Sequence, residues 1–173
     1  MSPTLRWQVD LHLRRLLPSL TALVAVLLDL LPLPGMGSVA SFLTLGVVYY
    51  WSIYRPELLP APAVFAVGVV YDALAGLPLG LTSLVLLLAR AVLDGHRRFF
   101  LARSFMVVWS CFLLLAPLAE AARWLVSCLW WGRLFAPQPV LFELGLSLAL
   151  YPCIGWLLGH VQGRIPRAPL HEP

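Results

Sequence analysis

Lysine and asparagine are both absent from this 173-residue chain, and charge of either sign is scarce. The codons for both residues are rich in A and T, so a GC-rich genome accounts for the two gaps. Charged residues make up only 12% of the chain and hydrophobic residues 61%. A soluble domain of this size needs far more charge to cover its surface. The formal net charge of +4 rests on arginine alone. These arginines are dispersed, with no basic face interleaved with aromatics, which argues against a nucleic-acid partner. Cysteine is limited to Cys111, Cys128 and Cys153, inside apolar runs and without C-x-x-C spacing. Small buried packing residues are expected there, not a disulfide or a metal site. His12, His96, His160 and His171 lie in polar flanks and are not paired at ligand spacing. P-loop, G-x-S-x-G, H-E-x-x-H and EF-hand patterns are all missing. No catalytic, cofactor or metal site is expected, and the chain reads as a non-enzyme.

What fills the chain is apolar sequence. Six segments stand out, at residues 16–33, 38–54, 62–76, 79–95, 102–131 and 138–161, against about 20 residues for one helical crossing of a bilayer. They predict an all-α integral membrane protein of six transmembrane helices, with a membrane domain over 16–161 and short segments 1–15 and 162–173 on either side. The first segment runs into Leu-Pro-Leu-Pro-Gly, not a small-x-small cleavage site, so it is expected to stay as a span. Gly and Pro mark the connections at Pro32 to Gly37, at Pro56, at Gly76 to Gly80 and from Gly132 to Pro139, and Asp94-Gly-His-Arg97-Arg98 is expected to end the fourth helix.

Arginine placement sets the orientation. Arg6, Arg14, Arg15, Arg55, Arg97, Arg98, Arg103, Arg164 and Arg167 fall on one side and only Arg133 on the other. This bias predicts a multi-pass protein of the bacterial cytoplasmic (inner) membrane, with both termini in the cytoplasm. Tyr49, Tyr50, Trp51 and Tyr54, with Phe99 and Phe100, then read as an inner interfacial belt, and Trp124, Trp130 and Trp131 as an outer one. Arg90, near the inner end of its span, is expected to snorkel to the interface. The loops are too short for a folded soluble module, so any contact must come from the spans and their ends.

Five ionisable residues, Asp29, Asp72, Glu120, Arg123 and Glu143, interrupt the apolar runs toward the outer half. Either they line an outward-facing cavity and pair around Arg123, or each reaches headgroups and water. The second reading is the expectation for Asp29 and Glu143; for Asp72 and Arg123 both stand, given the cost of a lone charge in lipid. Glu120 and Arg123 are three apart and can meet on one helix face. The stretch 26–35 echoes 69–80: each is helix, Asp, outer turn, helix. In the last segment Gly155, Gly159 and Gly163 share a face suited to close helix packing, internal or with a partner.

Three motifs follow in order: Pro32-Leu-Pro34, Tyr50-Trp51-x-x-x-x-Pro56 and Gly68-x-x-x-Asp72-x-x-x-Gly76-x-Pro78-x-Gly80. Together they resemble the MreD family of bacterial rod shape-determining membrane proteins, with the motif match over about residues 32–90 and the remainder similar in hydropathy and size. The resemblance implies a role in the elongation machinery that builds the lateral peptidoglycan wall. The partners it implies are MreC, RodA, a class B penicillin-binding protein and MreB filaments. It also implies a six-helix fold similar to the substrate-binding subunits of vitamin-uptake transporters. Trp51, Pro56, Gly68, Asp72, Gly76, Pro78 and Gly80 are the family-matching positions, with architectural and not catalytic roles expected. The function expected is a membrane scaffold that holds MreC to the wall-synthesis enzymes. The alternative is a membrane subunit that binds a vitamin or a lipid-linked precursor. A membrane enzyme acting on isoprenoid phosphates would need paired carboxylates that the sequence lacks.

Overall fold

The computed structural model describes residues 17–31, 43–101 and 103–163. The two flanking segments (but for 162–163), Pro32, Pro34 and Arg6, Arg14, Arg15, Arg164 and Arg167 lie outside them. Each apolar segment folds as a helix: α1 (Leu17–Asp29), α2 (Leu43–Tyr54), α3 (Ala61–Ala75), α4 (Leu81–Leu101), α5 (Phe105–Trp131) and α6 (Gln138–Gly163). No strand occurs among the described residues. Two helices, α5 and α6, are long and apolar enough to cross a membrane; α1 and α3 are shorter apolar helices. The 27 residues of α5 extend about 40 Å, more than the hydrocarbon thickness of about 30 Å.

The fourth helix overruns its expected end. It continues through Asp94-Gly95-His96-Arg97-Arg98 to Leu101. One interior glycine costs only about 1 kcal/mol, and the buried face persists across it, with Leu93 and Phe100 two turns apart in the core. Pro117 and Pro152 likewise sit inside α5 and α6, each removing one backbone donor from its helix.

The helix α2 is enclosed. It packs against α4, α5 and α6, and Trp51 Nε1 donates to Thr21 Oγ1 of α1 at 3.0 Å. All but its end residues are buried, as befits a helix that is apolar all round. Tyr49, Tyr50 and Trp51 are therefore core residues and not an interfacial belt. Tyr49 donates to the Val108 carbonyl at 2.8 Å and meets Phe112 edge-on, while Phe112 stacks on Tyr151 with centroids 4.2 Å apart. Tyr50 donates to Gln162 Oε1 at 2.7 Å. Phe100 is also buried, whereas Trp130 and Trp131 at the opposite end are exposed.

Other side chains depart from expectation for similar reasons. Arg90 turns inward: its guanidinium donates to the carbonyls of Leu59 and Pro56 in the α2–α3 connection and lies 3.4 Å from Asp94. Those carbonyls follow the end of α2, where helical N–H donors run out. Cys128 is buried and Cys111 half-buried, but Cys153 is exposed on α6; all three are free thiols. Gly155 is buried, whereas Gly159 is exposed beside Tyr50. A Cβ at Gly155 would lie 3.1 Å from the Phe105 ring, and one at Gly159 3.7 Å from the Tyr50 hydroxyl. Gly163 is the last described residue of α6.

Candidate functional site

The turn between α3 and α4 is built around Asp72. Gly76 closes α3 in left-handed backbone, φ 67°, with its N–H on the Asp72 carbonyl. Gly80 follows at φ 94°, and side chains other than glycine's adopt this region at a cost. The chain thereby returns over the Asp72 side chain. Gly80 N–H donates to Asp72 Oδ2 at 2.9 Å, and Thr82 N–H lies 3.1 Å from both carboxylate oxygens. The first amides of a helix have no acceptor of their own, and its positive end favours a carboxylate. Asp72, fully buried, is thus the cap of α4. One turn earlier, a Cβ on Gly68 would lie 2.4 Å from Ser83 Cα, so the two backbones touch there. Pro78 accepts from Leu81 N–H at 3.1 Å. Pro56 lies just beyond the end of α2 at Tyr54.

Asp29 does for α2 what Asp72 does for α4. Its carboxylate accepts from Leu43 N–H at 2.7 Å, Thr44 N–H at 2.9 Å and the Thr44 hydroxyl at 2.6 Å. Expected to reach headgroups, Asp29 is instead 0% exposed. Buried amides at a helix start are its partners, so it needs no water. The echo between 26–35 and 69–80 has this physical content: an aspartate late in one helix caps the next.

The second grouping centres on Arg123. Its Nη2 donates to Glu120 Oε2 and to Glu143 Oε1, each at 2.9 Å, and its Nη1 donates to the Tyr71 hydroxyl at 3.0 Å. The side chains of Glu120 and Arg123 are almost wholly buried, and that of Glu143, expected near water, is only 12% exposed. Glu143 enters from the start of α6 because the guanidinium has room for a second carboxylate. A buried charge with these partners avoids most of the penalty of an isolated one.

These groups line a partly open cavity of about 650 Å³. Asp29, Tyr71, Glu120, Arg123, Trp124 and Glu143 supply its polar surface, and Leu30, Leu77, Trp131, Phe135 and Val140 its apolar walls. Four of the five ionisable residues singled out from the sequence therefore meet at one cavity; Asp72 stands outside it. Two buried atoms there, Glu120 Oε1 and Trp124 Nε1, have no hydrogen-bond partner. Among the described residues no group of three or more His, Cys, Asp or Glu is placed to hold a metal ion. Tyr71 escapes the sequence, because an aromatic in an apolar run looks like any core residue; Trp124, expected in the outer interfacial belt, lines the cavity with its Nε1 buried.

The family model described as rod shape-determining protein MreD matches residues 10–161. The chain belongs to the MreD family. No match was found among curated proteins or among solved structures. The MreD match takes in both capping aspartates and the whole Arg123 cavity. Membership implies a part in rod shape determination, in a family of membrane-associated, structural shape proteins. The apolar helices fit a membrane protein.

Proposed function

We propose that this MreD protein is a non-enzymatic scaffold that crosses the bacterial cytoplasmic membrane six times. It binds MreC and links it to RodA and the class B penicillin-binding protein, with MreB engaged directly or through them. The family match over residues 10–161 carries this reading. The fold supports it with unpartnered apolar faces: Leu114, Leu118, Leu125 and Leu129 form one exposed row along α5, suited to lipid or to another protein's membrane helix. Depletion in the native host tests it. The expected result is loss of rod shape together with displacement of MreC, and co-isolation of MreC with the protein from native membranes. Cells that stay rod-shaped with MreC correctly placed would count against the scaffold.

A second reading is favoured by the cavity and its two unpartnered polar atoms. In it the chain presents a small molecule, a vitamin or a lipid-linked precursor, at the outer end. Mass spectrometry of the gently purified protein would reveal that molecule; repeated absence would remove the reading.

A further inference from the structure

We propose that the cavity binds a primary ammonium with an oxygen acceptor beside it, the ammonium on Glu120 and the oxygen on Trp124. The inference rests on the small-molecule reading and adds the chemistry of the ligand. Glu120 is 2% exposed. Its Oε2 is engaged by Arg123 at 2.9 Å, while its Oε1 is buried without a donor. A buried acceptor left unmet costs free energy that an incoming donor recovers.

The surrounding charges decide the sign of that donor. Both Asp29 oxygens are occupied by the first turn of α2. The Arg123 guanidinium is divided among Glu120, Glu143 and Tyr71. One cation thus faces three carboxylates around the cavity, so a positively charged donor is preferred to a neutral one and an anion is repelled.

Trp124 adds the second element. Its Nε1 is a buried donor with no acceptor, and it stands four residues after Glu120 on α5. Such positions are neighbours on one face, about 5–6 Å apart at Cβ. The ligand must therefore donate a hydrogen bond to one and offer an oxygen to the other, as a small molecule carrying both an amine and an oxygen does. The walls at Trp131, Phe135 and Val140 suit an apolar body, and a volume of about 650 Å³ is ordinary for a small-molecule site. Two sources share this chemistry: a free amino alcohol or amine ester, and the ethanolamine headgroup of a phospholipid.

Equilibrium binding of tritiated 2-amino-1-phenylethanol to the full chain tests this. The protein is held in nanodiscs of phosphatidylcholine, which carries no primary ammonium. Saturable binding is expected, with 1-phenylethanol and mandelate about tenfold weaker or worse. Glu120→Gln, which keeps shape and removes charge, should weaken the amine about tenfold or more. Trp124→Phe should weaken it about fivefold and leaves the Arg123 ion pairs in place, so it reads the site even where Glu120→Gln lowers the yield. Competition by added phosphatidylethanolamine would assign the site to a lipid headgroup, and lack of competition to a free amine. No saturable binding, equal binding of either analogue, or unchanged affinity in both variants would overturn the proposal. A co-purified molecule without an ammonium would overturn it too, while leaving the small-molecule reading standing.

Discussion

Asp29 and Asp72 each sit where a lone carboxylate would be costly, and each is held by the opening amides of the helix that follows. The carboxylate and the amides need each other, because neither has water to fall back on. Removing the side chain leaves the Gly80 and Thr82 amides unmet. Asp72→Ala should cost about 1–3 kcal/mol, read as a lower midpoint in thermal unfolding in detergent. Asp72→Asn, which retains one acceptor oxygen, should cost less. An alanine variant that melts with the parent would show that the cap contributes nothing. The aspartate itself was visible in the sequence as an anomaly in an apolar run, but its job was not. The partners are backbone amides, which every residue but proline has, so no residue type marks them.

At the scale of elements, the α3–α4 hairpin is a tight joint. Gly68 lies against the backbone of Ser83 as well as its hydroxyl, and the backbone cannot swing aside, so a methyl group there must push the helices apart. Gly68→Ala should destabilise by about 1–3 kcal/mol. Gly145→Ala, at a helical glycine with open space around it, should be neutral or stabilise by up to about 1 kcal/mol. Equal melting of the two variants would mean that the hairpin yields without cost. Helix positions were legible to within a few residues because hydrophobic runs and Gly–Pro connections are local signals. The end of α4 was missed where a charged stretch continued a helix whose buried face still had Phe100 to place. The aromatics of α2 were misassigned for a different reason. Whether Tyr49 and Trp51 meet lipid or protein depends on what surrounds α2, and nothing in its own twelve residues records that. The ionisable residues of the Arg123 cavity stood out in the sequence as charges in apolar segments, but Asp29 and Glu143 were expected to reach headgroups and water, and both their burial and the split of Asp72 from the cavity required the folded geometry.

For the molecule as a whole, the end holding the cavity and Arg133 is opposite the end holding Arg55 and Arg103. In the proposed topology the cavity end faces outward. A variant lacking Cys111, Cys128 and Cys153 would take a single new cysteine in place of one exposed arginine. A membrane-impermeant maleimide applied to spheroplasts should then modify Arg133→Cys and spare Arg103→Cys. The reverse pattern would invert the orientation, and modification of both would break the even number of crossings. The enclosure of α2 also has a consequence for how the protein is made. This helix is synthesised second but is walled in by α4, α5 and α6, and Tyr50 waits for Gln162, 112 residues later in the chain. In the proposed topology, its tyrosines and tryptophan sit provisionally against lipid or an insertion factor during synthesis. The core is completed only when the last helix arrives, so a nascent chain cut short before α6 would carry an open seam that quality-control proteases could recognise.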